Sequence, residues 1–160
     1  MSEGVRLAGK HTGWPHWTTP ENVLDLVRRV GDIAFDPCGN DASIVKAAQT
    51  TDHNGLTCDW LECAGMGLTY VNPPYNAAAL FVAKCDEEAI RGVNIIALVA
   101  ARTDTRWAHR AFRTATALCF WGPGRIKFGN PPPGSKVDAP SIPSMFVYWG
   151  HHTNRFMSVF

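Results

Sequence analysis

The stretch Val93-Asn94-Ile95-Ile96-Ala97-Leu98-Val99-Ala100 constrains this chain most. A strand with one wet face alternates apolar and polar side chains. This run stays apolar on both faces, Asn94 apart. Such a strand belongs in a parallel sheet with helices over both faces. The surrounding segments fit that frame. Thr19-Pro20-Glu21-Asn22 reads as a helix start, with Thr19 as cap, Pro20 in the first turn and Glu21 at the positive end of the dipole. Val23, Leu24, Leu26, Val27 and Val30 supply an apolar helical face, and Gly31 ends it.

A short strand is expected over Ile33 to Phe35 with Asp36 at its end, then a helix over Asp41 to Gln49. Leu68 to Val71 reads as a second buried strand, Ala77 to Ile90 as a helix with Leu80, Phe81, Ala83 and Ala89 inward or neutral, and Asp104 to Ala115 as another helix. Thr116 to Trp121, Gly124 to Phe128 and Ser144 to Trp149 are aromatic and β-branched segments bounded by Gly and Pro, which read as late strands with hairpin-like connections. Strands alternating with helices predict an α/β fold: a doubly wound, mostly parallel sheet with antiparallel terminal strands.

At 160 residues, 46% hydrophobic and 18% charged, the chain is expected to be one domain over 1–160 with an ordinary core. Residues 1–15 are expected to be flexible, and 130–143, with Pro131, Pro132, Pro133, Pro140 and Pro143, to be a surface loop. No apolar run reaches membrane-span length and the N-terminus lacks a secretory pattern, so no membrane partner and a cytoplasmic location are expected. The cysteines are odd in number, and His53, Cys58 and Cys63 fit no common zinc spacing, so no metal is expected. A net charge of +1 excludes a uniformly basic coat and leaves room for a local patch.

Leu68 to Val71 runs straight into Asn72-Pro73-Pro74-Tyr75. The prolines cannot continue a central strand, and they stiffen the turn that follows it. Asn72 offers an amide oxygen and Pro73 a carbonyl beside it. Two neighbouring acceptors suit a planar NH2 group. Accepting both of its hydrogens favours a pyramidal nitrogen, whose lone pair then points at an electrophile. Tyr75 can stack on the attached ring. This is chemistry for methylating an amine in line with a sulfonium methyl donor. Asn-Pro-Pro alone is also an ordinary turn; its place after a buried strand, with Asp36 ending an earlier one, is more specific. Sheets of this class bind ligands beyond the carboxyl ends of their strands.

Asn72-Pro73-Pro74-Tyr75 matches the catalytic motif of S-adenosylmethionine-dependent amino-methyltransferases, and the chain resembles the phage-type DNA N6-adenine methyltransferases. Trp17-Thr18-Thr19-Pro20 is similar to that family's N-terminal cofactor motif and Asp36-Pro37 to its first-strand motif. Ala101-Arg102-Thr103-Asp104-Thr105-Arg106-Trp107 and Gly124-Arg125-Ile126-Lys127-Phe128 are similar to later signatures. The likeness runs from Trp17 to Trp149. It departs in the glycine-poor turn after Asp36 and in one extra residue in Ala139-Pro140-Ser141-Ile142-Pro143-Ser144.

The resemblance implies a compact Rossmann-like class I methyltransferase that uses S-adenosyl-L-methionine and acts on adenine N6 in DNA. It implies catalysis at Asn72, Pro73, Pro74 and Tyr75, and a cofactor pocket walled by Trp17, Thr18, Pro20 and Pro37, with Asn72 touching the cofactor as well. Asp36 is the candidate for the cofactor's ammonium. Asp59 is the candidate for its adenine, with Asp52 as rival. Arg102, Thr103, Arg106, Arg125, Lys127 and Lys136 are candidates for DNA phosphates, with Arg102 and Arg106 on one helix face if the helix starts early. Other planar amines (cytosine N4, guanine in RNA, protein glutamine) and a binding-only relic stay open at this point. A cytosine C5 reading, from Pro37-Cys38 and Glu21-Asn22-Val23, has its motifs in reversed order.

Overall fold

The expected central strand forms as Asn94–Ala100 (β4), and its 7 residues are all buried. Ile95, Ala97 and Val99 enter one apolar cluster while Ile96 and Leu98 enter the other. Burying each such side chain contributes roughly 1.5–3 kcal/mol, so the run stabilises both faces at once. The structure, a computed structural model, describes residues 16–50, 54–134 and 140–160. Asp52, His53, Lys136 and the stretch 1–15 lie outside the described residues.

The other strands are Ile33–Asp36 (β1), Gln49–Thr50 (β2), Leu68–Val71 (β3), Ala117–Phe120 (β5) and Ser144–Trp149 (β6). They make a 6-stranded sheet in the order β2-β1-β3-β4-β6-β5. Strands β2, β1, β3 and β4 run parallel, and β6 runs antiparallel to both β4 and β5. The helices are Glu21–Val30 (α1), Trp60–Ala64 (α2), Ala78–Ile90 (α3), Arg106–Thr114 (α4) and Thr153–Val159 (α5). Trp60, Phe81, Val82, Cys85, Ala108 and Ala111 bring α2, α3 and α4 onto one sheet face. Val23, Leu24, Val27 and Phe156 bring α1 and α5 onto the other. This is the mixed, helix-flanked sheet expected of a compact Rossmann-like methyltransferase.

Several local expectations are corrected. No helix forms over 41–49. There Ala42 N–H donates to Asn40 Oδ1 at 2.9 Å, Ser43 N–H to Asn40 O at 2.8 Å, and Lys46 takes a left-handed φ of 57°. Such local side-chain bonds compete with helical pairing, and the segment ends as β2. Thr19 does not cap α1; Pro20 stands at the cap position without a side-chain bond. Gly124 to Phe128 is not a strand: Gly124 has φ 90°, Ile126 is buried in the core, and only the next residue, Gly129, bridges to Thr18. Leu80 faces solvent at 51% exposure. Because α4 begins at Arg106 behind a Thr105 cap, Arg102 precedes the helix and shares no helix face with Arg106. The closing helix α5 was not foreseen; Phe156 stacks on Tyr148 with ring centres 5.2 Å apart.

Candidate active site

β1 and β3 are parallel neighbours, so Asp36 and Asn72 emerge at one edge of the sheet. From β1 the order runs outward to β2 on one side and to β3 and β4 on the other. That reversal is the switch point where sheets of this class open a crevice.

Asp36 is only 4% exposed. Its Oδ1 accepts from Cys38 N–H at 2.9 Å and its Oδ2 from Ser43 Oγ at 3.5 Å. Among the described residues no basic side chain pairs with it. Burial raises its pKa from 3.8 to about 6, against the lowering effect of those two hydrogen bonds. Cys38 follows two residues on: its N–H serves Asp36, and its thiol is pushed up chiefly by burial.

Asn72 is half-buried. Its Nδ2 donates to Thr19 Oγ1 at 3.2 Å, and Thr19 Oγ1 lies 2.7 Å from Tyr70 Oη. Its Oδ1 has no partner among the described residues. Tyr70 and Asn72 are two residues apart, so they share the α1 face of the sheet, where Thr19 stands at the start of α1. Pro73 is buried, whereas Pro74 and Tyr75 are exposed. Tyr75 opens a 3₁₀ turn, Tyr75–Ala77, that leads into α3, and its ring is 62% exposed.

The flanking candidates divide. Thr18 is buried and exchanges backbone bonds with Gly129, at 3.1 and 2.8 Å, while Asn130 Nδ2 donates to His16 O at 2.8 Å. A Cβ on Gly129 would lie 2.7 Å from Thr18 Oγ1, so this approach needs glycine. Arg125 and Lys127 are exposed either side of buried Ile126, shortly before the bridge residue Gly129, and Trp17 and Pro20, which flank the Thr18-Thr19 pair, are half-buried. Pro37 is pressed by Gly55, where a Cβ would fall 2.2 Å from Pro37 O.

Arg102, just past β4, is held by both oxygens of Asp104 at 3.1 Å. Thr103 O contacts His109 Nε2, and Arg106 is exposed. Asp59 has its own partners. It caps α2 through Glu62 N–H at 3.0 Å and pairs with Arg91 Nη2 at 2.6 Å. Arg91 follows the 13 residues of α3, about 20 Å along the helix from the Asn72 turn.

A family model for DNA N-6-adenine-methyltransferase (Dam) matches residues 10–159. The chain belongs to this family. No curated protein matches it. A Dam-family chain is an enzyme that methylates adenine N6 in DNA, so DNA is its substrate, and methyltransferases of this kind generally take the methyl from S-adenosylmethionine. Among the described residues of this Dam-family chain no group of three or more His, Cys, Asp or Glu could hold a metal, and no helix is long and apolar enough to cross a membrane.

Sequence reasoning missed Thr19 as the partner of Asn72, Tyr70 as the partner of Thr19, Ser43 as a partner of Asp36, and Gly55 and Gly129 as points of close approach. The doubled threonine of Trp17-Thr18-Thr19-Pro20 was a visible signal; its second hydroxyl was assigned to a helix cap. A cavity of about 210 Å³, lined by Asp32, Leu68, Asn94, Tyr148 and Arg155 among others, lies at the opposite, amino-terminal edge and plays no part in this site.

Proposed function

We propose that the methyl donor of this DNA adenine methyltransferase is S-adenosyl-L-methionine and that its reaction is run by Asn72, Pro73, Pro74 and Tyr75. The observation that carries this reading is the Asn72 amide. Its nitrogen end is tied to Thr19 at 3.2 Å, and its oxygen end, at the switch point, is unclaimed among the described residues. Asn72 Oδ1 and the Pro73 carbonyl accept the two hydrogens of adenine N6 and localise its lone pair. The prolines keep both acceptors in place before the base arrives, so positioning lowers the barrier.

The residues present fit the donor. Asp36, buried and without a counter-charge among the described residues, suits the ammonium of the methionine part. Trp17, Thr18, Pro20 and Pro37 form the adjoining walls. Asp59, with both carboxylate oxygens engaged, has no part in this reading. When bound, the donor supplies an electrophilic methyl on a sulfonium.

Adenine N6 is inside a paired stack, so the base is flipped out at a cost of a few kcal/mol. The exposed ring of Tyr75 stacks on it and offsets ~1–3 kcal/mol of that cost. Arg102, Thr103, Arg106, Arg125 and Lys127, with Lys136 outside the described residues, hold phosphates and set the register of the duplex. The work is done within a single domain over 1–160, in the cytoplasm where the DNA is.

The test is Asn72→Ala. Nucleoside mass spectrometry of treated DNA is expected to find no N6-methyladenine, while calorimetry still detects cofactor binding. Undiminished methylation by this variant removes Asn72 from the reaction.

A further inference from the structure

We propose that Thr19 and Tyr70 are positioning residues that decide which end of the Asn72 amide faces the target amine. The proposal rests on the reading that Asn72 Oδ1 accepts from that amine. An asparagine amide is nearly symmetric in shape and opposite in chemistry at its two ends. Turned round, it presents NH2 to NH2, two donors facing each other, and the acceptor is lost. Sterics alone hardly distinguish the two orientations, so a bonded neighbour must.

Thr19 Oγ1 is that neighbour. It is 4% exposed, receives Asn72 Nδ2 at 3.2 Å and lies 2.7 Å from Tyr70 Oη. A hydroxyl has one proton and can point it at either side. If Thr19 gives its proton to Tyr70, only lone pairs are left for Asn72, and only the NH2 end of the amide can bond. If the proton swings to Asn72 instead, the amide is invited to reverse. Tyr70 is wholly buried, and burial pushes its phenol well above the usual range, so it stays a neutral, fixed hydroxyl. The proposed chain of bonds runs Asn72 to Thr19 to Tyr70, the one of the two directions open to the Thr19–Tyr70 pair that leaves Thr19 only lone pairs for the amide. Its members come from the start of α1 and from β3, so the tether also couples the Trp17-Thr18-Thr19-Pro20 segment to the catalytic turn.

The experiment is steady-state methyl transfer to duplex DNA with labelled S-adenosylmethionine, alongside calorimetric cofactor binding and thermal unfolding. Thr19→Val keeps the shape and removes the acceptor. Its kcat is expected to fall about tenfold or more, the value of one oriented hydrogen bond. Cofactor affinity and KM for DNA should hold. Thr19→Ser should recover most of the lost kcat, and Tyr70→Phe should fall between, because Thr19 keeps its oxygen and loses the acceptor for its proton.

Three results overturn the proposal: wild-type kcat in Thr19→Val, a loss confined to cofactor affinity, or Thr19→Ser no better than valine. Should Thr19→Val fail to fold, Tyr70→Phe decides, and wild-type kcat there is equally fatal. Asn72→Ala separates the two levels. If it is inactive while Thr19→Val is normal, only the orienting role fails. If it is active, the acceptor reading fails and takes this proposal with it.

Discussion

In Asp36→Asn a buried carboxylate gives way to a neutral amide of the same shape. The carboxyl is 4% exposed, and burial lifts its pKa from 3.8 to about 6. A shift of about two units, at 1.36 kcal/mol each, means the ionised group costs the folded, ligand-free chain about 3 kcal/mol. The folded pKa lies above the unfolded one, so folding favours the protonated form. The cost is full above pH 6, shrinks as pH falls through 6 towards 3.8, and is gone below that.

The amide keeps an oxygen for Cys38 N–H and gives up the acceptor facing Ser43 Oγ, a loss of about 1 kcal/mol. Ligand-free Asp36→Asn should therefore be more stable than the parent by about 1–2 kcal/mol at pH 7.5, an advantage that fades towards pH 4. Urea unfolding across that range reads it directly. Cofactor affinity should move the other way, weakening at least about a hundredfold because the ammonium loses its partner. In the parent, the ionised fraction of Asp36 drops about tenfold between pH 7 and pH 5, so cofactor Kd should rise about tenfold over that interval. A variant that is less stable at pH 7.5, or that binds the cofactor as tightly as the parent, refutes the assignment.

Gly55→Ala would set a Cβ 2.2 Å from Pro37 O. Denaturation should show a loss of ~1–3 kcal/mol, and calorimetry a weaker cofactor, since the displaced turn carries Asp36; an unchanged unfolding midpoint contradicts this. Arg102→Ala should weaken DNA binding and lower the slope of log Kd against log salt by about one, and an unaltered slope takes Arg102 off the phosphate path. Tyr75→Ala should lower kcat/KM for DNA about tenfold while Tyr75→Phe keeps most of it, because the ring face does the stacking; equal losses in both would assign the role to the hydroxyl instead.

The large features of the fold were legible because they rest on local chemistry. An apolar run without alternation predicts β4, and a strand that meets two prolines must stop, so Leu68–Val71 and the turn after it follow from the chain itself. The helix over 41–49 was misread because composition there favours helix and the bonds that prevent it, from Asn40 and Ser43, are particular side-chain geometries. The strand over Gly124 to Phe128 was misread because its aromatic and β-branched pattern suits a strand, while the pairing there is made by the next residue, Gly129, with Thr18 far away in sequence.

The residue types of the site, Asp36 and the Asn72 turn, and the side of the sheet on which they emerge were set by sequence, since a strand's end and direction depend on its own residues and on the handedness of its crossovers. Tertiary structure alone decided that Thr19 serves Asn72 and not its own helix, that Asp59 turns to Arg91, and that Asp36 has no counter-charge among the described residues. Each of these depends on which groups lie within about 3 Å once the layers close, and no spacing along the chain encodes a distance of that kind.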